Sequence, residues 1–220
     1  MVASDVQAVS EDGGNGEDAE ILTYSNPAKY LFNISKLTNN LYLCGACALR
    51  ADTFDKLNIT CVINCTTREE LPDPPLPDRI KTYRRIAVLD SSVTNLIHYF
   101  HEIADTIRKV SQEGGNILVH CVAGVSRSVS LCLAYLLKYH KMSLKEAYEY
   151  VERRRPCIKP NNSFFKQLID FEIENRGNPS ISMILDESTQ SYIPDIYERK
   201  FSNKLCCQMK VCQKRHCGTH

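Results

Sequence analysis

The sequence predicts an α/β fold in which a central, mostly parallel sheet is flanked by helices. Short apolar runs typical of buried strands alternate along the chain with longer segments whose apolar residues recur at helical spacing. One such run leads directly into a polar loop that contains glycine and then into a strongly apolar segment, which is the order strand, loop, helix. The chain has 220 residues, of which 43% are hydrophobic, so it can bury one sizeable core.

Four short runs are predicted to be the strands of this sheet. Their length and their content of β-branched and aromatic residues distinguish them from the helical segments. They cover Leu41–Leu43, Cys61–Asn64, Thr82–Val88 and Ile117–His120.

Four longer segments are predicted to be helices. The first is amphipathic, and the second is apolar nearly all round, as expected for a helix buried between the sheet and its neighbours. Ser143 and Glu146 have the spacing of a capping box at the start of the third. The helices cover Leu96–Val110, Val129–Leu137, Ser143–Arg154 and Asn162–Glu174.

The loop before the buried helix has the composition of an anion site. Residues 120–128 read His-Cys-Val-Ala-Gly-Val-Ser-Arg-Ser. Amides that open a helix lack a partner in a preceding turn and bind oxyanions. Gly124 can adopt the positive φ that lets successive amides curl around an anion. The residues predicted to bind phosphate are Val122, Ala123, Gly124, Val125, Ser126 and Arg127.

Cys121 and Arg127 stand at the two ends of this loop. The guanidinium of Arg127 is planar and always charged, so it matches two phosphate oxygens. Cys121 lies in the same positive field and is expected to be a thiolate at rest. A thiolate that faces a phosphate monoester can attack phosphorus in line and form a cysteinyl-phosphate, which water then hydrolyses. The sequence therefore predicts phosphate ester cleavage with neither a metal nor a cofactor.

Other residues are candidates for supporting roles. Ser128 could donate its hydroxyl to the departing sulfur or cap the helix, and both roles are compatible. His120 is expected to orient the loop backbone through hydrogen bonds rather than to transfer protons. Asp90 is the best candidate for the acid that protonates the leaving oxygen, although an aspartate before serines is also typical of an N-cap or an Asx turn. Asp73 and Asp78 are weaker candidates because they lie in a stiff, proline-rich connector.

The loop resembles the His-Cys-x-x-Gly-x-x-Arg-Ser signature of cysteine-based phosphatases. Ala134–Leu137 and Arg155–Asn161 resemble the dual-specificity branch of that superfamily. The segment 192–198 resembles the tail of a small atypical subgroup, the dual-specificity phosphatases fourteen, eighteen and twenty-one. Similarity extends from about Leu37 to about Lys200. It implies the cysteine-phosphatase fold and a protein phosphatase that acts on phosphotyrosine and on phosphoserine or phosphothreonine.

The resemblance also implies individual roles. Cys121 matches the nucleophile, Arg127 the phosphate clamp and Ser128 the hydroxyl that helps the thiolate leave. Asp90 matches the general acid by its distance upstream of the signature. Asn161 matches a position whose side chain braces the phosphate loop in relatives, although a helix N-cap would look the same in the sequence.

Two alternatives to a protein phosphatase have to be weighed. A phosphatase for phosphoinositides or RNA ends would be expected to carry extra cations inside the loop, and this loop has none besides Arg127, so a nucleic acid substrate is disfavoured. A scaffold that recognises phosphate without turnover would most simply lack the nucleophile, which is present here. Val122 departs from the alanine that relatives usually carry and could narrow the rim of the pocket. Arg153–Arg155 could attract an acidic substrate or complement a helix dipole.

The ends of the chain differ from its middle in composition. Residues 1–36 are predicted to be an acidic, disordered tail, residues 37–176 the catalytic domain, and residues 177–220 an extension that ends in a basic, cysteine-rich tail. A solvated tail is preferred there over a palmitoylated segment in peripheral contact with a membrane. Neither a signal peptide nor a long apolar stretch is present, which predicts an intracellular protein of the cytoplasm, with the nucleus left open.

The eleven cysteines are predicted to be thiols in a reducing compartment, because their number is odd. The pair Cys44 and Cys47 is expected to be buried rather than to bind zinc, and Cys132 is expected in the core. A zinc site near the C-terminus is disfavoured because the ligand spacing fits no standard set. Its candidate ligands are Cys206, Cys207, Cys212, His216, Cys217 and His220.

Overall fold

A five-stranded sheet forms the centre of the computed structural model, which describes residues 27–50, 52–73 and 75–198. The strand order is β1-β2-β5-β3-β4, and each neighbouring pair is parallel except β1 and β2, which are antiparallel. The predicted α/β fold with a mostly parallel sheet is therefore confirmed. The strands are β1 (Ser35–Lys36), β2 (Leu41–Gly45), β3 (Ile59–Asn64), β4 (Thr82–Arg85) and β5 (Asn116–Cys121).

The middle strand β5 is buried on both faces, as parallel strands are when helices or loops cover the sheet. Ile117, Val119 and Cys121 point into the larger core, which the long helices cover. Leu118 points the other way, into a smaller core that includes Tyr42 and Val62. This alternation follows from the two-residue repeat of a strand, and it puts Cys121 on the helical side.

The helices agree with the predicted segments. The third opens with the predicted capping box, in which the Ser143 hydroxyl accepts from the Glu146 amide and the Glu146 carboxylate accepts from the Ser143 amide. The first predicted helix begins later than expected, because Ile97–Tyr99 form a 3-10 turn. The helices are α1 (Thr53–Lys56), α2 (Phe100–Gln112), α3 (Arg127–His140), α4 (Leu144–Arg154) and α5 (Asn162–Arg176).

Residues on both sides of the predicted catalytic domain are folded as well. Pro27–Phe32 form a 3-10 turn ahead of β1. After α5, the chain forms a hairpin of β6 (Met183–Asp186) and β7 (Ser191–Pro194). The turn between α5 and this hairpin is bound by the buried Glu172. The Glu172 carboxylate accepts hydrogen bonds from the amides of Leu144 and Ser180. The division into tail, catalytic domain and extension stays a prediction, but folded structure begins before residue 37 and continues past residue 176.

The cysteines do not all lie where the sequence suggested. Cys132 is buried in the core, as expected. Cys44 is buried in β2, but Cys47 is exposed in the 3-10 turn that follows, so the expectation that both are buried is wrong for Cys47. The acidic segment 1–20 and the C-terminal cysteine-rich tail lie outside the described residues. Within the described part of the chain, no helix is long and apolar enough to cross a bilayer.

Candidate active site

The predicted phosphate loop lies at the carboxyl end of the middle strand. Strand β5 ends at Cys121 and helix α3 begins at Arg127. This end of a parallel sheet is where α/β proteins bind ligands. The Cys121 side chain lies at the base of the loop, with an exposed fraction of only 2%.

The carbonyl groups of the phosphate loop are bound from behind by other parts of the chain. The backbone amides of Ala46 and Lys159 donate to the carbonyls of Val122 and Val125. Arg155 donates to the carbonyls of Ala123 and Gly124, and Ser130 donates to that of Ser126. A peptide whose carbonyl is held on one side presents its N–H group on the other. The amides that follow these carbonyls are thus held facing away from the donors, as an anion site requires.

Glycine is the only residue type that fits position 124 of this loop. Its φ is +67°, a conformation that side chains rarely adopt. A Cβ atom there would also lie 2.4 Å from the backbone carbonyl of Cys44, far inside van der Waals contact. Gly45 has the reciprocal constraint, since a Cβ atom on it would lie 2.7 Å from the Ala123 oxygen. The two glycines allow β2 and the loop to approach each other closely.

The sulfur of Cys121 accepts two hydrogen bonds. The amide of Gly124 and the hydroxyl of Ser128 both donate to Sγ, each at 3.2 Å. Hydrogen-bond donors and the positive end of a helix dipole, which lies at the start of α3, both favour negative charge on a nearby atom. Of the two roles left open for Ser128, the contact with sulfur is present, whereas the residue at the helix N-cap is Ser126.

Arg127 forms a two-point ion pair that the sequence did not reveal. Its Nη1 and Nη2 donate to the two carboxylate oxygens of Glu70 at 2.6 and 3.0 Å, and Nη1 also donates to the carbonyl of Val88. Among the described residues, no group accepts a hydrogen bond from the buried Nε atom of Arg127. That N–H is therefore available to a bound phosphate. The hydrogen bond from Arg127 lowers the pKa of Glu70, which keeps this carboxylate charged.

A second arginine holds the segment that carries Glu70. Arg85, at the end of β4, donates to the carbonyls of Thr66, Thr67 and Leu71 and to the carboxylate of Asp73. Hydrogen bonds from Arg85 and Tyr83 lower the pKa of Asp73. Asp73 is thus an ionised partner of arginine, which argues against it as the acid.

Asp90 lies beside the phosphate loop and is held by two donors. Its Oδ1 accepts from the Ser126 hydroxyl at 2.9 Å and from the side-chain amide of Asn161 at 2.7 Å. The Oδ1 of Asn161 accepts from the Phe164 amide and caps α5, so the N-cap role left open for Asn161 is present. Its backbone N–H donates to the Ser126 hydroxyl. Asn161 therefore braces the loop through its backbone and contacts the candidate acid through its side chain.

Arg155 is a buried part of this site rather than a surface cation. Its side chain is fully buried, and it also donates to the carbonyls of Tyr30 and Asn33. The alternative that it attracts an acidic substrate is wrong for this residue, because its side chain is buried. Its position at the C-cap of α4 agrees with the other alternative, which is to complement the helix dipole. Arg153 and Arg154 are exposed in the last turn of α4. In the sequence, Arg155 differs from its two neighbours in that it directly precedes a proline and begins the segment Arg155–Asn161 that resembles the dual-specificity branch.

His120 lies fully buried behind the nucleophile. Burial lowers its pKa to about 4, although an interaction with the Cys121 backbone acts in the opposite direction. The imidazole is therefore neutral at physiological pH. The enclosed ring agrees with a structural role, but neither ring nitrogen makes a hydrogen bond to a described residue, so the hydrogen bonds expected to orient the loop backbone are not found.

Apolar side chains next to the reacting residues are exposed. Val122 in the phosphate loop is 42% exposed, and Val93 in the segment after Asp90 is 90% exposed. Leu89, directly before Asp90, is also exposed. The surroundings of the predicted nucleophile and acid are thus apolar in part.

Comparisons with known proteins agree with the architecture of the site. Residues 41–174 match the family model "Dual specificity phosphatase, catalytic domain". The chain is 40% identical over 168 residues to dual specificity protein phosphatase 14 of Mus musculus, an alignment that covers 76% of this chain and 82% of the relative. It is 39% identical over 170 residues to dual specificity protein phosphatase 21 of Homo sapiens, which covers 77% of this chain and 86% of the relative.

A solved structure supports the same relationship. The crystal structure of DUSP15 superposes with a TM-score of 0.60 at 30% sequence identity, and the match covers 66% of this chain and 90% of that structure. The phosphate loop, its buried helix and the central sheet all lie within the matched family model, apart from the short edge strand β1. The chain therefore belongs to the dual-specificity protein phosphatases and, within them, to the atypical subgroup that includes phosphatases 14, 18 and 21.

Proposed function

We propose that this protein hydrolyses phosphotyrosine and phosphoserine or phosphothreonine in protein substrates, with Cys121 as the nucleophile. The observation that carries the proposal is the set of donors around one sulfur. Cys121 Sγ accepts from Gly124 and Ser128, and the neighbouring loop carbonyls are all held from behind. Such a loop can bind the oxygens of a phosphoryl group while the sulfur faces phosphorus.

The first chemical step is attack of the Cys121 thiolate on phosphorus. A sulfur–phosphorus bond forms as the bond between phosphorus and the ester oxygen breaks. The amides of residues 123–127 and the Nε group of Arg127 bind the equatorial oxygens, where negative charge accumulates. Glu70 holds the guanidinium from its far side, which fixes the orientation of Nε.

The leaving oxygen takes a proton from Asp90. The donors Ser126 and Asn161 both bind its Oδ1, which leaves the other carboxyl oxygen to carry the proton. In the second step, water attacks the phosphocysteine, Asp90 takes up the proton of that water, and the hydroxyl of Ser128 stabilises the departing thiolate.

A protein substrate is favoured over a polyanionic one by the side chains around the loop. Val122 and Val93 are exposed apolar groups beside the predicted site, and such groups suit side chains that flank a phosphorylated residue. A phosphoinositide or an RNA end carries several phosphates and would need cations that the loop side chains do not supply.

The experiment is a turnover comparison of the wild type with Cys121→Ser and Cys61→Ser. Cys61 is a buried cysteine on β3 that pairs with Ile117, near the end of β5 remote from Cys121, and it serves as the matched control. We expect Cys121→Ser to lose hydrolysis of an aryl phosphate while it still binds a phosphopeptide, and Cys61→Ser to keep its activity. Undiminished turnover by Cys121→Ser would rule out the nucleophile.

The substrate class is tested by turnover of the wild type on four phosphate sources. Phosphotyrosine and phosphothreonine peptides are expected to be hydrolysed faster than phosphoinositide vesicles or RNA with a terminal phosphate. Faster turnover of either non-protein substrate would overturn the proposed substrate class without affecting the nucleophile.

We also propose that the protein acts inside the cell, in the cytoplasm. The cysteines of the described part of the chain are free, and the mechanism depends on a reduced thiol. Both properties suit a reducing compartment. Imaging of the tagged full chain, with fractionation as a second measurement, tests this location.

A further inference from the structure

The acid loop, residues 89–94, carries Asp90 and is attached to helix α5 at two places. Asn161, the N-cap of α5, donates to the Asp90 carboxylate at 2.7 Å. Gln167, six residues further along the chain, binds the backbone at and just after the end of the acid loop. One helix therefore contacts both the candidate acid and the far end of the segment that carries it.

The side-chain amide of Gln167 binds three backbone groups. Its Oε1 accepts from the amides of Leu96 and Ile97 at 2.7 and 2.9 Å. Its Nε2 donates to the carbonyl of Thr94 at 2.9 Å and to the hydroxyl of Ser163 at 3.3 Å. A carboxamide offers both acceptor and donor sites, so it can bind two N–H groups and a carbonyl at the same time.

The two amides that Oε1 binds lie at the start of a helical segment. Ile97–Tyr99 form a 3-10 turn that leads directly into α2. The first amides of a helix have no partner in a preceding turn, and neither Leu96 nor Tyr99, the two N-cap residues, makes a side-chain cap. Gln167 thus supplies a cap from another helix, which is a structural role, whereas its bond to Thr94 leads towards the acid loop.

Thr94 passes this attachment on to the neighbours of Asp90. Its hydroxyl donates to the carbonyl of Leu89 at 2.9 Å, and its backbone N–H donates to the carbonyl of Ser91 at 3.2 Å. Leu89 and Ser91 directly precede and follow Asp90. Both neighbours of the candidate acid are therefore bound by the residue whose own carbonyl is bound by Gln167.

Packing contributes little to the position of the acid loop. The side chain of Val93 is 90% exposed, Leu89 is 55% exposed, and Asp90 is exposed as well. Segments that bury few apolar contacts open more readily than the core. The position of the loop therefore depends on hydrogen bonds, of which those from Asn161 and Gln167 attach it to α5.

We propose that Gln167 is a positioning residue that holds Asp90 within reach of the leaving oxygen and thereby sets the activity on phosphothreonine and phosphoserine relative to phosphotyrosine. Gln167 acts through Thr94 and the backbone of the acid loop. The inference rests on the proposed function, since it takes Asp90 as the general acid.

The chemical reason lies in the leaving group. As the Cys121 thiolate forms its bond to phosphorus, the electron pair of the breaking bond moves to the ester oxygen, which takes the proton of Asp90 and leaves a carboxylate. This transfer requires heavy atoms within about 2.6 to 3.2 Å of each other. The alkoxide of threonine is a much stronger base than the phenoxide of tyrosine, so its departure depends more on the proton. A displaced Asp90 should therefore slow alkyl phosphates more than aryl phosphates.

Two variants interrupt the attachment at different bonds. Gln167→Glu keeps oxygen atoms for the amides of the helical segment but has no donor for the Thr94 carbonyl. Thr94→Val introduces no charge and removes the hydroxyl that binds the Leu89 carbonyl. Urea unfolding of each variant verifies that the fold is retained.

The control variants make the same two changes elsewhere in the same helical segment. Gln112→Glu changes an exposed glutamine in the last turn of α2. Thr106→Val removes a hydroxyl that donates to the Glu102 carbonyl within α2. Neither residue contacts the acid loop through a hydrogen bond among the described residues.

The measurement is kcat/KM, which reports on transfer of the phosphoryl group to Cys121, for three substrates. We expect Gln167→Glu and Thr94→Val to lower kcat/KM for a phosphothreonine peptide by about 10-fold to 100-fold. An aryl phosphate with an acidic phenol should change by less than about 2-fold, and a phosphotyrosine peptide should lie between the two. Both controls should keep the wild-type values. A merely structural loss would lower kcat/KM for all three substrates by the same factor.

The ratio of kcat/KM for the phosphothreonine peptide to that for the aryl phosphate decides the outcome. A wild-type ratio in Gln167→Glu or in Thr94→Val would overturn the inference, and so would the same shift in either control.

The Asp90→Asn variant, measured in parallel, separates failure of this inference from failure of the proposed function. If Asp90→Asn shifts the ratio but Gln167→Glu and Thr94→Val do not, only the positioning role of Gln167 is lost. If Asp90→Asn leaves the ratio unchanged, Asp90 is not the acid, and the proposed acid step fails together with the inference.

Discussion

At the scale of single residues, Glu70 controls the direction in which Arg127 presents its remaining donor. Both terminal nitrogens of the guanidinium donate to the Glu70 carboxylate, whereas no described group accepts a hydrogen bond from Nε. A guanidinium that is bound at two points cannot rotate freely about its last bonds. The position of one carboxylate outside the phosphate loop thus determines a contact inside it.

The Glu70→Gln variant is expected to lower kcat/KM by about 10-fold to 100-fold, because a small misplacement of a clamp removes transition-state contacts. The measurement is steady-state turnover of an aryl phosphate together with the affinity for orthovanadate. Glu69→Gln is the control, since its exposed neighbouring carboxylate does not bind Arg127. Equal activity of both variants would show that Arg127 needs no such partner.

The buried, neutral His120 makes stability depend on pH. Its pKa is lowered from 6.5 in the unfolded chain to about 4, so the unfolded state binds a proton first as the pH falls. The free energy of unfolding should therefore fall by about 3 kcal/mol between pH ~6.5 and pH ~4 through this residue, and it should be insensitive to this residue above that window.

Urea unfolding of the wild type and of His120→Asn over this range tests the prediction. The variant should be less stable at pH 7 but should lose less stability on acidification. Parallel pH profiles for the two proteins would contradict the assignment.

At the scale of elements, the phosphate loop depends on the backbone conformation of Gly124. An alanine there would have a positive φ and would push its Cβ atom into the Cys44 carbonyl. Gly124→Ala should therefore lower turnover by at least about 100-fold, because the amide ring cannot form around the phosphate.

Gly177, after α5, is the matched control. It also has a positive φ, but a Cβ atom added there would meet no neighbouring atom within 4 Å. Gly177→Ala should cost about 1 kcal/mol of stability and leave kcat/KM unchanged. Equal losses of activity in the two variants would mean that the close approach to β2 is unimportant.

The elements of the fold could be predicted from the sequence because each has a local signal. Helix α4 has its capping box, α3 its continuous apolar run, and β5 its hydrophobic residues next to the loop. The hairpin of β6 and β7 was not predicted, because its residues are partly exposed and β7 packs against α5, a contact that local patterns do not specify.

The candidate site could be predicted from local chemistry where it is contiguous in sequence, and the family resemblance added roles for Asp90 and Asn161. Cys121, Arg127 and Ser128 occur together within one motif, and the structure brings Asp90 and Asn161 to it. Glu70 contacts Arg127 across 57 residues of sequence, and Arg85 holds the segment that carries Glu70. The charges of both residues look like those of any solvated loop. Such contacts depend on strand order, which local patterns do not specify.

At the scale of the whole molecule, Arg155 connects three distant parts of the chain. It belongs to the end of α4, and its guanidinium binds the phosphate loop and the N-terminal segment around Tyr30 and Asn33. All of these partners are neutral carbonyls. Burial of a cation with only carbonyl partners costs free energy, because the charge loses its hydration. Removal of the cation costs more, because the buried carbonyls then lose their hydrogen-bond donors and no water replaces them.

Arg155→Met should lower the free energy of unfolding by about 3 to 5 kcal/mol and should reduce turnover of the remaining folded protein. Arg154→Met is the control, since that guanidinium lies over the exposed face of the Tyr150 ring at 3.6 Å and should contribute about 1 kcal/mol or less. The measurement is urea unfolding of each variant, followed by turnover under native conditions. Equal stabilities would show that Arg155 does not hold the three segments together.

The hydrogen bonds that hold the carbonyls of the phosphate loop have an energetic consequence for catalysis. Water molecules around a phosphate in solution must reorient as charge shifts during the reaction, whereas these peptide dipoles are already aligned before a substrate arrives. The peptide dipoles are aligned once, during folding, by hydrogen-bond donors that take no part in the reaction. Each catalytic cycle therefore begins in an electrostatically preorganised cavity, and the stability of the fold and the rate of the enzyme depend on the same hydrogen bonds.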